Sequence, residues 1–220
     1  MKILLTKTLP QEQLDLIKSW GWSYDVVETL KITSVDVKKI PEKTQAWIVS
    51  SRNSFEVIKK FITEAPQHIY CVGDWMKKEI EKLDGKISVL SFENMKSLAS
   101  DLAKQNFQSV IYFCGVNHRP ELEEGLKNST TKIFKVVTHK SEMTFPKLKI
   151  NYDAIFIFSP RSGESLLKHN QFSSQTLFAC IGPTTNDYLN SKGLTNTFVS
   201  STPDSKTLLE EFHHTLNLKF

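Results

Sequence analysis

Gln45-Ala46-Trp47-Ile48-Val49-Ser50-Ser51-Arg52-Asn53-Ser54 is an apolar run that ends in a small polar cluster, and the same form returns at Asp153-Ala154-Ile155-Phe156-Ile157-Phe158-Ser159-Pro160-Arg161-Ser162. Each is followed by a helical stretch and a second apolar run closing on glycine: Ile69-Tyr70-Cys71-Val72-Gly73 and Phe178-Ala179-Cys180-Ile181-Gly182. The step from Ser51 to Gly73 is 22 residues and that from Ser159 to Gly182 is 23. A repeat of this length, half a chain apart, predicts two similar α/β lobes rather than a solenoid. Two lobes leave a cleft, the usual place for a small molecule.

Working outward, short apolar runs alternate with amphipathic stretches along the whole chain. Ile3-Leu4-Leu5 is an expected strand, and Gln11 to Trp20 a helix with Leu14, Ile17 and Trp20 on one face. Further strands are expected at Tyr24 to Thr29, Ala46 to Val49, Ile69 to Val72, Ile87 to Leu90, Val110 to Phe113, Ile133 to Val137, Ala154 to Phe158, Leu177 to Ile181 and Thr197 to Val199. Helices fall between them, including Ser54 to Glu64, Pro120 to Lys127, Gly163 to His169 and Ser205 to Leu216. Lys31 to Ile40 reads as a crossover. Strands alternating with helices give parallel sheets covered on both faces. Ligands of such sheets lie beyond the carboxyl ends of the strands. The clusters at Ser50-Ser51, Gly73, Gly115, Ser159 and Gly182 fall there.

The 220 residues carry a net charge of +4 with scattered basic residues, so no basic stripe for nucleic acid is visible. No apolar run approaches the roughly 18 residues that suggest a membrane span. The opening segment reads as a buried strand, not a signal peptide. Three cysteines, Cys71, Cys114 and Cys180, sit in apolar runs and read as free buried thiols of a reducing, cytoplasmic protein. No His, Cys, Asp and Glu set has metal spacing. Dinucleotide, phosphate-loop and nucleophile-elbow motifs are all missing.

The strand-end loops carry the chemistry. Gly182-Pro183-Thr184-Thr185 opens a helix, whose first N–H groups suit a carboxylate; plain threonine capping is the alternative. Arg52 and Arg161 each stand where a guanidinium holds a carboxylate by two hydrogen bonds, or lies solvated on a loop. In Gly115-Val116-Asn117-His118-Arg119, His118 is the best-placed histidine for proton transfer, although the sequence shows no acidic partner for it. His213-His214 reads as surface.

The ordered set resembles the uroporphyrinogen-III synthase family. Its most specific piece is Ala179-Cys180-Ile181-Gly182-Pro183-Thr184-Thr185 with Leu189 and Gly193. Phe156 to Pro160, Trp47 to Asn53, Cys71-Val72-Gly73, Gly115 with Arg119 and Leu122, and Ile3 to Lys7 support it. The resemblance implies two Rossmann-like parallel-sheet lobes joined by a two-stranded hinge. Lobe one would be 1–33 with 141–220, and lobe two 34–140. It implies a lyase that cyclises hydroxymethylbilane with loss of water and inversion of the last pyrrole ring, in haem biosynthesis. No metal or organic cofactor is implied. The substrate has eight carboxylates, and the implied holders are Thr6, Lys7, Ser50, Ser51, Asn53, Gly73, Gly115, Arg119, Ser159, Arg161, Ser162, Gly182, Pro183 and Thr185. A monomer that takes its substrate from hydroxymethylbilane synthase, with no nucleic-acid or membrane partner, completes the expectation.

Two departures stand out. Thr138 occupies the position of a tyrosine favoured for assisting hydroxyl loss, so the acid is left among Thr184, Thr138, His139 and a bound water. Asp74-Trp75 follows Gly73 where a small residue and threonine are usual. The alternatives are a two-lobed protein that binds a small anion without chemistry, and a synthase-like protein that has lost its activity.

Overall fold

The computed structural model describes residues 1–218. The chain divides into two compact units, Met1–Lys31 with Glu142–Phe220, and Ile32–Ser141. The first holds a five-stranded sheet of β1 (Lys2–Leu5), β2 (Ser23–Val26), β9 (Ala154–Ile157), β10 (Leu177–Cys180) and β11 (Thr197–Val199), in the order β11-β10-β9-β1-β2. The second is built on β3 (Leu30–Ser34), β4 (Ala46–Val49), β5 (His68–Val72), β6 (Ser88–Phe92), β7 (Ser109–Gly115) and β8 (Lys132–Met143), in the order β3-β8-β7-β4-β5-β6. Every pair from β6 to β8, and every pair of the first sheet, is parallel. The chain passes from one unit to the other within β3 and within β8.

Setting the two orders side by side explains the sequence repeat. β9, β10 and β11 hold the places of β4, β5 and β6, while β1 and β2 hold those of β7 and β8. The first unit is thus a circular permutation of the second. Its last two strands come first in the chain. The helices follow suit: α2 (Phe55–Phe61) matches α6 (Pro160–Leu167), α3 (Asp74–Leu83) matches α7 (Pro183–Ser191), and α4 (Met95–Leu102) matches α8 (Ser205–Asn217). The β1–β2 connection carries α1 (Gln11–Ser19) and the β7–β8 connection carries α5 (Glu121–Gly125).

Successive residues of a strand point to opposite faces, so each sheet feeds two cores. Trp47 and Val49 enter one core of the second unit, and Ala46 and Ile48 the other. Ala154 and Phe156 serve one core of the first unit, Ile155 and Ile157 its second. All eight side chains are 0–1% exposed, which is why these runs read as continuously apolar.

Several expected elements shift at their ends, and three shifts have a plain physical reason. The strand from Tyr24 stops at Val26, and Thr29 leaves the sheet to bury its hydroxyl. The helix from Pro120 is cut to Glu121–Gly125; Gly125 lies so close to Ala99 that a Cβ there would stand 2.6 Å from the Ala99 Cβ. The strand at Ile133 runs on to Met143, because β8 continues past the end of β7 beside β3.

Candidate functional site

The carboxyl ends of the central strands carry a matching device in each unit. Ser51 begins a 3-10 turn, Arg52–Ser54, and its hydroxyl accepts from the Asn53 N–H. Ser159 caps α6 and accepts from the Ser162 N–H at 3.1 Å. Three residues after each cap stands a serine turned inward: Ser54 is 0% exposed and Ser162 3%. These caps fix the loop by satisfying N–H groups that a helix start leaves unpaired.

In the first unit Ser162 belongs to a hydroxyl trio. Its Oγ donates to Thr6 Oγ1 at 2.9 Å and lies 2.6 Å from Thr29 Oγ1; Thr6 Oγ1 in turn donates to the Phe156 carbonyl at 2.7 Å. In the second unit Ser54 Oγ lies 2.9 Å from Thr138 Oγ1, which is 2.8 Å from His139 Nδ1 and 3.2 Å from the Cys114 carbonyl. Thr29 follows β2 and Thr138 lies in β8, its counterpart, so the Ser–Thr pair recurs at the same place in both units.

A bulge places His139 there. Cys114 pairs with Val137 but Gly115 pairs with His139, so Thr138 is an extra residue in β8. The extra residue breaks the alternation of a strand, and Thr138 and His139 both turn inward at 0% and 8% exposure. The imidazole fills the space a side chain would need at Gly115, where a Cβ would stand 2.6 Å from Nε2. Burial lowers the His139 pKa below its usual value, which favours the neutral ring.

The adjoining loop holds a second cluster. His118 Nε2 lies 2.9 Å from Glu123 Oε1 and its Nδ1 3.1 Å from the Gly115 carbonyl. Lys135 Nζ meets the same Glu123 oxygen at 2.8 Å. The expectation that His118 lacks an acidic partner is therefore corrected: α5 folds back and brings Glu123 to it. Lys135 and His118 outweigh burial and keep the Glu123 carboxyl below its ordinary pKa. Beside it, Ser50 Oγ lies 3.0 Å from Tyr112 Oη; burial pushes the Tyr112 pKa up to about 12.

The remaining expected residues fall at strand ends, in two classes. Thr6, Ser162 and Thr185 are buried, at 2%, 3% and 2%, and brace the loops from behind. Lys7, Asn53, Gly73, Arg119, Pro183 and Thr184 are exposed, and Ser50, Ser51, Gly115, Ser159, Arg161 and Gly182 partly so. Lys7 Nζ lies 4.4 Å from the centre of the Phe158 ring. Gly182 leads into α7 with Pro183 in its first turn, and its carbonyl accepts from the Thr185 and Asn186 N–H groups. Thr29, Ser54, Glu123 and Lys135 escaped the sequence reading. Ser54 was within reach, because it repeats the Ser159-to-Ser162 spacing.

Elsewhere, all three cysteines are free and buried, their pKa values raised by burial to about 12, 11 and 12 at Cys71, Cys114 and Cys180. None is a ready thiolate. His213 stacks on Trp20 at 4.1 Å rather than lying bare on the surface. Among the described residues no group of three or more His, Cys, Asp or Glu is placed to hold a metal, and no helix is long and apolar enough to cross a membrane.

Residues 21–210 match the sequence model of uroporphyrinogen-III synthase HemD. The chain belongs to the uroporphyrinogen-III synthase family. It is 26% identical over 144 residues to the uroporphyrinogen-III synthase of Saccharomyces cerevisiae, a match spanning 57% of this chain and 52%, about half, of the yeast protein. In structure it resembles uroporphyrinogen-III synthetase of Helicobacter pylori 26695 (TM-score 0.68, 16% identity, 99% of each chain). A mutant uroporphyrinogen III synthase of the extremely thermophilic bacterium Thermus thermophilus is similarly close, at TM-score 0.67 and 13% identity over 99% of each chain. At these identities the structural likeness establishes the two-lobed α/β fold.

Proposed function

We propose that this chain is a uroporphyrinogen-III synthase, a hydro-lyase that converts hydroxymethylbilane to uroporphyrinogen III and water. One observation carries the reading: a chain of this family ends the central strand of each sheet in the same capped Ser-x-x-Ser loop, with exposed hydroxyl, amide and basic groups around it. Such groups suit the carboxylates of a linear tetrapyrrole. The two units are the two lobes of the family in this reading. Protonation and departure of the terminal hydroxyl leave an electron-poor azafulvene. The last pyrrole ring attacks it through its substituted carbon, and the resulting spiro intermediate opens and recloses with that ring inverted. The substrate supplies both reacting centres, so the protein's work is to bring its ends together and keep water away.

The proton donor is best sought at Thr184, exposed at the start of α7, or in a water held there. Thr138 is fully buried with its hydroxyl engaged, and burial lowers the His139 pKa, which supports a positioning role for these two at the Gly115 loop. In this reading the enzyme works in the cytoplasm as a monomer and receives its unstable substrate from hydroxymethylbilane synthase.

The test is a coupled assay. Hydroxymethylbilane freshly made by its synthase is added to the protein, and the oxidised uroporphyrin isomers are separated. Isomer III is the expected product. Isomer I alone, from a folded sample, rejects the reading and favours a binding protein. Thr184→Ala is expected to lower kcat by roughly tenfold or more; an unchanged kcat assigns the donor to water.

A further inference from the structure

Trp75 is exposed at 37%, uncommon for a large apolar side chain in this protein, and it stands in the first turn of α3 at the carboxyl end of β5. Its ring is braced by Phe55, 5.6 Å away at 68°, and the Arg52 guanidinium lies 4.9 Å from its centre. Arg52 comes from the turn after β4, the neighbour of β5 in the sheet. Arg119 is paired with Glu121 at 3.5 Å, whereas no ion pair of Arg52 occurs among the described residues. Glu56, the acid nearest Arg52 in sequence, makes no ion pair with it among the described residues, and Asp74, next to Trp75, accepts a hydrogen bond from Ser91 Oγ at 2.5 Å. The indole thus holds a guanidinium in place by cation–π attraction while the N–H donors of that guanidinium have no carboxylate partner.

We propose that Arg52 and Trp75 form a subsite for one substituted pyrrole ring of the substrate, the ring lying against the indole and its carboxylate side chain on the guanidinium. The proposal rests on the synthase reading for the identity of the substrate. An electron-rich planar ring gains from offset contact with an indole, and a carboxylate matches the two parallel N–H groups of arginine. The site therefore reads two features of the ligand together, its aromatic plane and an acid on a short arm. A free acid without a ring, or a ring without an acid, meets half of it.

Two measurements on the 220-residue chain decide it. In steady state, Trp75→Ala and Arg52→Met should each raise KM for hydroxymethylbilane roughly three- to tenfold with kcat within about twofold, and Trp75→Phe should stay near the parent. In a fluorescence titration with uroporphyrin III as probe, the saturable quenching of the parent should be largely lost in Trp75→Phe. Trp47 is buried, and Trp20 and Trp22 pack around His213 in the other unit. Unchanged KM in both truncations, or identical quenching in Trp75→Phe, overturns the proposal. Trp75→Phe keeps an aromatic ring beside Phe55 and so remains readable if Trp75→Ala fails to fold. Isomer I alone from the parent protein would reject the synthase reading, and the titration would still decide the subsite.

Discussion

The two units share a strand order and a Ser–Thr pair at their strand ends, yet they differ in what that pair is joined to. In the first unit Ser162 and Thr29 are closed off by a third hydroxyl, Thr6, and the cluster holds no titratable group. In the second, Ser54 and Thr138 lead to His139, brought in by one extra residue in β8. The same frame thus yields a neutral brace on one side and a pH-responsive one on the other. The lesson is that a single-residue bulge changes the chemistry of a strand end without changing the fold around it.

The largest test concerns continuity. The second unit is one segment with two cores of its own, so residues 32–141 are expected to unfold cooperatively as an isolated fragment. Residues 142–218 lack β1, whose Ile3, Leu4 and Leu5 are all 0% exposed, and are expected not to fold until residues 1–31 are supplied. Chemical denaturation followed by circular dichroism reads both. A folded 142–218 fragment would break the comparison.

Next come two strand-end glycines, one in each unit. Gly115→Ala drives a methyl into the His139 ring and should cost about 1–3 kcal/mol. At Gly182 a Cβ meets nothing within 4 Å and the backbone is extended, so Gly182→Ala should change stability by less than about 0.5 kcal/mol. Urea midpoints compare the two directly; equal effects would mean that His139 does not fill the space beside Gly115.

The hydroxyl pairs give a smaller difference. Thr138→Val strips a partner from Ser54 and from His139 Nδ1 inside the protein, an expected loss of about 2 kcal/mol. Thr29→Val leaves Ser162 its bond to Thr6, and about 1 kcal/mol is expected. A reversed order would show that the trio, not the histidine cluster, is the tighter brace.

The smallest effect is on pH. Burial lowers the His139 pKa below 6.5, so below that pH the unfolded chain binds more protons than the folded one. Stability then falls as pH drops through about 6.5 and below. His213 contributes with the same sign, its pKa lowered by burial and by His214. His139→Gln should flatten part of the slope and leave the rest. An unchanged slope would remove His139 from the account.

Much of this was legible from residues alone. Parallel strands buried on both faces must be continuously apolar, so Ala46–Val49 and Ala154–Ile157 announced themselves. The repeat of polar clusters after them placed the strand ends, and Ser51 and Ser159 read as part of those ends. The Ser54 hydroxyl did not: its spacing from Ser51 repeats that of Ser162 from Ser159, but a serine that caps and a serine that is buried look alike in a sequence. Hydrophobic patterning is a local signal, and the chain carried it by itself: the α/β class, two units and the position of their loops. Thr138 against Ser54, His118 against Glu123 and Arg52 over Trp75 were decided only by the tertiary structure. Those contacts join residues through strand neighbours, a bulge and a returning helix, and a hydrogen bond or a cation–π contact depends on a few tenths of an ångström that spacing along the chain does not encode.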